Sequence, residues 1–409
     1  MLQAMFSGIS AIQAHQERMD VIGNNIANVN TTGYKAGRVT FQDQFSETLQ
    51  GAAKGAGTGS GGTNPQQIGL GVRVGSIDSL MAQGGLQSTS RPTDMAIEGN
   101  GYFMLGDATG LHYTRDGSFS VDNNGSLVNA TNGAYVLGWS ADANGKIDAS
   151  KEIGPASHLK IPVGGLTVSS PTTTATLTGN LSAGATTTTA PYVRSIKTYD
   201  SLGNAQNVTL SFTRQASGNA WNWTASGDAG AAGTGTISFD ASGNTSAATG
   251  AIALTPTNGA APQTITPDFS RLTQVAGDSN AAPSDQNGYP PGTLQSFGVD
   301  PTGLITGIFS NGMTRPLGQV AVTGFANPEG LSRSGGNEFQ ATINSGLPQV
   351  GTATQGGLGK ISTGYLEQSN VDLSNEFTNM IVTQRGFQAN TKIVTTVDEM
   401  LNDVIHLKQ

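Results

Sequence analysis

The sequence predicts a mainly β protein with terminal α-helices, in which nested β domains are inserted between the N- and C-terminal helices. Three observations carry this. Apolar residues recur at 3-4 spacing at both ends, the middle is dense in Asp-x-x-Gly units, and strand-like runs rich in Val, Thr and aromatics flank those units. A 3-4 alternation places its members on one narrow helical stripe, the seam along which helices pack. Asp first and Gly fourth suit a type I turn, and strands joined by such turns build antiparallel sheet.

The N-terminal stripe runs through Leu2, Met5, Ile9, Ile12, Gln16, Met19, Gly23 and Ile26, which predicts a helix from about Leu2 to Asn28. It stops in Asn28-Val29-Asn30-Thr31-Thr32-Gly33, where Asn and Thr compete for backbone hydrogen bonds and Gly33 can take positive φ. Gly8 and Gly23 each cost about 1 kcal/mol relative to Ala, so this helix needs a partner. Residues 31–68 read as a linker segment. Phe41-Gln-Asp-Gln-Phe45 opens it, and Gly51 to Gly62 has the composition of a flexible connection. Its glycines lack the preceding apolar strand and the acidic residue of a nucleotide loop.

An inner β domain is expected over 69–145 and 286–365, interrupted by an outer β domain at 146–285 rich in Thr, Ser, Ala and Gly. Met95 to Leu105 reads as two strands around a Gly99-Asn100-Gly101 turn. Seven turn units are headed by Asp107, Asp122, Asp142, Asp200, Asp240, Asp285 and Asp300. Asn207 to Thr213, Trp221 to Trp223 and Leu317 to Val322 supply strand patterns. The terminal helical domain combines 1–30 with 366–409. Its second stripe runs through Leu373, Phe377, Met380, Gln384, Phe387, Thr391, Val394, Asp398, Leu401 and Ile405, with Ser369 or Asp372 as N-cap.

Composition excludes several functions. Charged residues make up 12% of the 409, against roughly 25% in ordinary soluble proteins, and the net charge is −8. No Lys/Arg cluster offsets that charge, which argues against nucleic acid. Cysteine is absent, so neither a disulfide nor a thiolate site is expected. The start MLQAMFSGIS has no early basic residue or apolar core of a Sec-type leader, and no apolar run is long enough for membrane insertion.

No catalytic, cofactor or metal site is expected. Asp142, Asn144, Gly145 and Asp148 resemble part of a calcium loop, but the frame puts Ser140 first and Lys151 twelfth, with Glu152 one residue out. His15, His112, His158 and His406 lack ligand spacing, and no G-x-S-x-G elbow occurs. The helical stripes are different. They sit at the extreme ends, and Gln16, Gln384, Thr391 and Asp398 punctuate them, which fits contacts with neighbours better than a dry core. The expected interface is therefore Leu2, Met5, Ile9, Ile12, Met19, Ile26, Leu373, Phe377, Met380, Phe387, Val394, Leu401 and Ile405.

The run Asp20-Val-Ile-Gly-Asn-Asn-Ile-Ala-Asn-Val-Asn-Thr-Thr-Gly-Tyr-Lys35 resembles the N-terminal signature of the bacterial flagellar rod and hook proteins. Ile97 to Phe103, Tyr113 to Phe119, Asn375 to Ile381 and Gln384 to Asn390 look like other blocks of that family. The insertion at 146–285, Tyr199 to Asn204 and Phe297 to Gly303 look hook-like rather than rod-like. The resemblance implies a helical homopolymer whose paired end helices form a coiled-coil inner tube, with the two β domains as middle and outer shells. It implies exit through the flagellar type III export apparatus, and distal rod, hook cap and hook-filament junction proteins as partners. Phe41 and Phe45 are similar to an aromatic-spaced export motif, against a plainer reading as a helix face packed on the body. The competing functions are a straight rod-type subunit and a monomeric β-rich adhesin.

Overall fold

The computed structural model describes residues 2–52, 54, 62–142, 145–161 and 167–406. Two helices, α1 (Leu2–Ala27) and α2 (Leu373–His406), stand at the ends of a chain whose remaining regular structure is almost entirely strand. The fold class is as the sequence predicts. The chain divides into two compact units: Met1–Ile161 with Gly298–Ile305 and Pro316–Gln409, and Pro162–Phe297 with Thr306–Arg315.

In the first unit the strand Tyr102–Asp107 is central. It pairs with Gly110–Thr114 along one edge, and with Thr314–Gly324 and Tyr135–Val136 along the other. Phe103 and Leu105 face one way, Tyr102 and Met104 the other, and all four are buried. A strand covered on both faces reads as a continuous apolar run, which is why Tyr-Phe-Met-Leu shows no alternation. Met95–Glu98 does not pair with Tyr102–Asp107 across the Gly-Asn-Gly turn as expected; it pairs with Lys360–Thr363. Gly99 and Gly101, at φ 106° and 129°, turn the chain away from its neighbour.

The expected linker at 31–68 is corrected. Tyr34, Lys35 and Ala36 are buried, and strands follow at once. These are β1 (Gly37–Asp43), β2 (Ser46–Gln50), β3 (Gln66–Gly69) and β4 (Val72–Ser79). β1 pairs antiparallel with β4, and β2 with β3. Of the glycine tract, 53 and 55–61 lie outside the described residues. The first unit also extends past 145, because residues up to 161 complete its sheet. Leu137 bridges to His158, Ser126 bridges to Lys160, and the Trp139 indole donates to the Lys151 carbonyl at 2.8 Å. Low apolar content misplaced that boundary.

The second unit is built on an antiparallel meander through Tyr192–Tyr199, Ala205–Arg214, Ala220–Gly227 and Ala232–Phe239. Val208, Leu210 and Phe212 alternate inward, as do Trp221, Trp223 and Ala225 on the next strand. Phe269 closes on Phe212 and Trp223, with ring centroids 6.0 and 5.6 Å away.

The Asp-x-x-Gly units fold as one device in four fully described cases. At Asp122, Asp200, Asp240 and Asp300 the carboxylate oxygen Oδ1 accepts the backbone N–H groups two and four residues on, at 2.6–3.0 Å. The glycine then lies at φ 79–84°, where a side chain would be strained. Asp142 holds the Lys146 N–H in the same way, while Asn144 lies outside the described residues. Two units depart from it: Asp107 Oδ1 accepts the Thr109 and Gly110 N–H groups, two and three residues on, with Gly110 at φ 134°, and Asp285 lies within the strand Ala282–Gln286, where Gly288 is not at positive φ.

Candidate assembly interface

α1 and α2 lie antiparallel. Gly8 faces Val394 and Asn390, His15 lies over Gly386, the Arg18 guanidinium donates to Asn379 Oδ1 at 3.3 Å, and Asn25 Nδ2 donates to Glu376 Oε1 at 3.3 Å. A Cβ added at Gly386 would lie 2.8 Å from the His15 ring, so this crossing requires glycine or a displaced imidazole. α2 begins at Asp372, not Ser369: its carboxylate accepts the Ser374 and Asn375 N–H groups, at 2.9 and 3.3 Å.

The seam is displaced from the apolar stripe. On α2 the inward row is Glu376, Met380, Thr383, Gly386, Asn390, Val394, Val397 and Leu401, all buried or half-buried. Of the expected positions only Met380, Val394 and Leu401 belong to it. Leu373, Phe377, Phe387 and Ile405 are exposed, and so are Ile381, Val382, Ile393 and Val404. On α1, Met5, Ile12, Met19 and Ile26 are half-buried, Ile9 is exposed, and the side chain of Leu2 lies outside the described set. Gly8, Ala14, Ile22 and Asn25 take the buried places. The physical reason is distance. Small residues let two backbones approach closely, and bulky side chains are then left on the flanks.

α1 rests its other side on β1 and β4. Ser10 Oγ accepts the Val72 N–H at 3.3 Å, and Val21 packs over Gly37. Phe41, expected on a helix face if not an export motif, lies in β1, edge-on to His15 at 5.5 Å with Arg18 5.7 Å from its ring centre. Phe45 just beyond is 88% exposed. Burial, then the Arg18 charge, push the His15 imidazole below its ordinary pKa, which favours the neutral ring at this crossing.

Polar groups fix the base of the helix pair. Asn25 is buried, donates to the Gly37 carbonyl at 2.8 Å, and accepts from the Gly37 N–H at 2.8 Å and the Tyr34 hydroxyl at 3.2 Å. Asn370 accepts the Ala36 N–H at 2.8 Å and donates to the Leu80 and Ala82 carbonyls at 2.8 and 3.0 Å. Glu367 is fully buried and meets Lys35 at 2.6 Å and Arg115 at 3.2 Å, with the Gly84 N–H 2.9 Å from Oε1. Burial pushes the Lys35 ammonium below the usual lysine range; Glu367 opposes this and Arg115 adds to it. The sequence reading used Asn25, Lys35 and Arg115 only as parts of motifs. A Lys and a Glu spaced far apart in an otherwise charge-poor chain were the signal available.

Among the described residues no group of three or more His, Asp or Glu is placed to hold a metal, and no helix is long and apolar enough to cross a membrane. His112 is buried on the hairpin beside Asp107 and Glu338, each 3.4 Å away, and the His158 ring lies tilted at 45° against Tyr135, with centroids 4.1 Å apart.

Four family profiles match the chain. They are described as flagella basal body rod protein at 5–35, flagellar hook protein FlgE/F/G D1 domain at 96–178, flagellar basal body protein FlaE D2 domain at 167–289, and flagellar basal body rod FlgEFG protein C-terminal at 362–407. The flagellar hook protein FlgE of Borreliella burgdorferi is 37% identical, with 100% of both chains covered. That of Escherichia coli is 35% identical over 99% of this chain and 100% of the relative. The flagellar basal-body rod protein FlgG of Bacillus subtilis is 30% identical with full coverage of both. The crystal structure of Helicobacter pylori flagellar hook protein FlgE2 superposes with a TM-score of 0.50 at 16% identity, covering 69% of this chain and 100% of that one, a likeness of fold alone.

Proposed function

The chain belongs to the flagellar hook protein FlgE family, a structural subunit of the bacterial flagellar hook, and from that premise we propose how its geometry serves polymerisation. The carrying observation is the split between the two sides of α2. Small and polar groups complete the contact with α1, while Leu373, Phe377, Ile381, Phe387, Ile393 and Ile405 remain exposed along the same helix. Covering such side chains contributes roughly 1.5–3 kcal/mol each as an upper bound, enough in a helical array to hold axial continuity. The helix pair is then one stave of the inner tube, and the hydrophobic flanks of α2, with Ile9 and Phe6 on α1, meet neighbouring staves. The 1–30 and 366–409 ends form the inner layer of that tube. Weakly charged, Thr- and Gly-rich surfaces on the β layers make wet contacts with several near-equal packings, which lets a curved tube turn as a universal joint.

Export through the flagellar type III apparatus, and end contacts with distal rod, hook cap and hook-filament junction proteins, complete the reading. The exposure of Phe45 beside Phe41 supports a role for that pair in export. The test is electron microscopy of the concentrated chain beside a Phe377→Asp, Ile381→Asp variant. The native chain is expected to form curved tubes, and the variant to remain a folded monomer. Tubes from the variant would remove the α2 flank from the interface. The full-length match to a rod protein favours one alternative, a rod-type subunit, and straight tubes would select it.

A further inference from the structure

Residues 341–348 form a loop between the strands Glu338–Gln340 and Gln349–Thr352 of the first unit. Hydrogen bonds hold it from beneath. Ser345 is fully buried, and its hydroxyl accepts the Thr342 N–H and donates to the Thr342 carbonyl, both at 2.9 Å. Thr342 Oγ1 donates to the Gly330 carbonyl at 2.6 Å, and Asn327 Nδ2 donates to the Asn344 carbonyl at 3.1 Å. A Cβ at Gly330 would come within 2.8 Å of the Asn344 and Ser345 backbone, so the loop sits directly on that glycine. On this fixed base Ile343 and Leu347 stand 104% and 87% exposed. They flank an open depression that Ala341, Gly346 and Pro348 also line. Single exposed apolar residues are ordinary, but two on one braced loop are pre-organised for contact.

We infer that Ile343 and Leu347 dock on a second copy of this chain and take an apolar side chain of that neighbour between them. The inference rests on the polymer reading above and adds a contact outside the helices. Charge selects a copy of the chain as the occupant. From Phe339 to Gly359 no residue is charged. Subunits of net charge −8 repel one another, so they meet at least cost where neither brings a charge to the contact. A nucleic acid or an anionic membrane surface would need cationic residues in this stretch, and it has none. Area points the same way. The patch is on the order of a few hundred Å², whereas an interface that holds one partner unaided takes roughly 800 Å² from each side. A contact of this size serves where others act with it, as between subunits of a helical array.

The test has two arms, both on the full-length chain. In the first, Ile343→Ser, Leu347→Ser removes the apolar reach without adding charge. The monomer is expected to keep its Tm, because neither side chain is covered within the subunit. The concentration at which tubes form, read by sedimentation and electron microscopy, is expected to rise about tenfold or more. In the second, a chain carrying the photo-crosslinker p-benzoylphenylalanine in place of Ile343 is mixed in minor proportion into the native chain. Illumination of the tubes is expected to give a covalent dimer of this chain, and illumination of the dilute monomer none. Tubes that form equally well from the double variant, or that yield no dimer, would overturn this contact and leave the polymer reading standing. A native chain that stays monomeric at every concentration would overturn both. Illumination in cells that joins position 343 to a different protein in place of the dimer would also overturn the assignment. The crosslinking arm keeps the helices and the native chain in place, so a double variant that misfolds leaves the test intact.

Discussion

The Lys35 ammonium lies 2.6 Å from the Glu367 carboxylate, with both side chains buried, and joins positions 332 residues apart at the root of the helix pair. Arg115 approaches the other carboxylate oxygen at 3.2 Å, so one acid serves two cations. The asymmetry has a measurable consequence. Glu367→Gln strands two buried cations, whereas Lys35→Met leaves the Arg115–Glu367 pair intact. Denaturant unfolding of the monomer is expected to show a loss of about 3–5 kcal/mol for Glu367→Gln and about 1–3 kcal/mol for Lys35→Met. Equal losses would show that the triad does not act as a unit.

Asn25 satisfies both partners of the Gly37 peptide and touches the Tyr34 hydroxyl and Glu376. Asn25→Ala leaves those groups unpaired in a buried site and is expected to cost about 2–4 kcal/mol. Hydrogen exchange should speed up at Gly37 and along the start of α2. An unchanged exchange rate at Gly37 would show that water replaces the asparagine without loss.

Two helical glycines should respond in opposite directions. Nothing lies within 4 Å of a Cβ placed at Gly23, so Gly23→Ala is expected to stabilise by up to about 1 kcal/mol through helix propensity alone. At Gly386 the same change forces the His15 ring away from its place beside Phe41, and the gain is offset or reversed. Thermal unfolding of the two variants checks the sign, and a matching rise in Tm at both positions would contradict the close crossing.

Glu376 supplies a pH dependence. Burial is the largest influence and raises its carboxyl above the ordinary range; Asn25 and Arg18 pull it down, and Asp372 adds to the rise. The folded chain therefore holds this proton more tightly than the unfolded chain. Stability from this group is fullest below the ordinary carboxylate value, falls as pH climbs from there through the raised folded value, and is flat above it. Glu376→Gln removes the titration. Its Tm relative to the native chain is expected to improve across that interval and stay level on either side. A relative Tm of the variant that falls with rising pH would reverse the assignment.

The sequence alone determined the fold class, the helices at both ends and most of the turns, because each rests on local physics. A 3-4 stripe reports a helix wherever that helix packs, and Asp and Gly four residues apart fold the same turn at Asp122, Asp200, Asp240 and Asp300. Family membership was legible for a similar reason, since the Asn24 to Lys35 block is contiguous.

Only the tertiary structure decided which face of each helix is spent inside the subunit. Periodicity counts apolar residues but not the distance between helix axes. Gly8 and Gly386 set that distance, so Thr383, Asn390 and Val397 point inward while Phe377 and Phe387 are left facing outward. The same holds for the strands of 37–79 and for the charges at Lys35, Arg115 and Glu367. Their partners lie far along the chain, and a buried ion pair has no signature until the backbone brings its halves together.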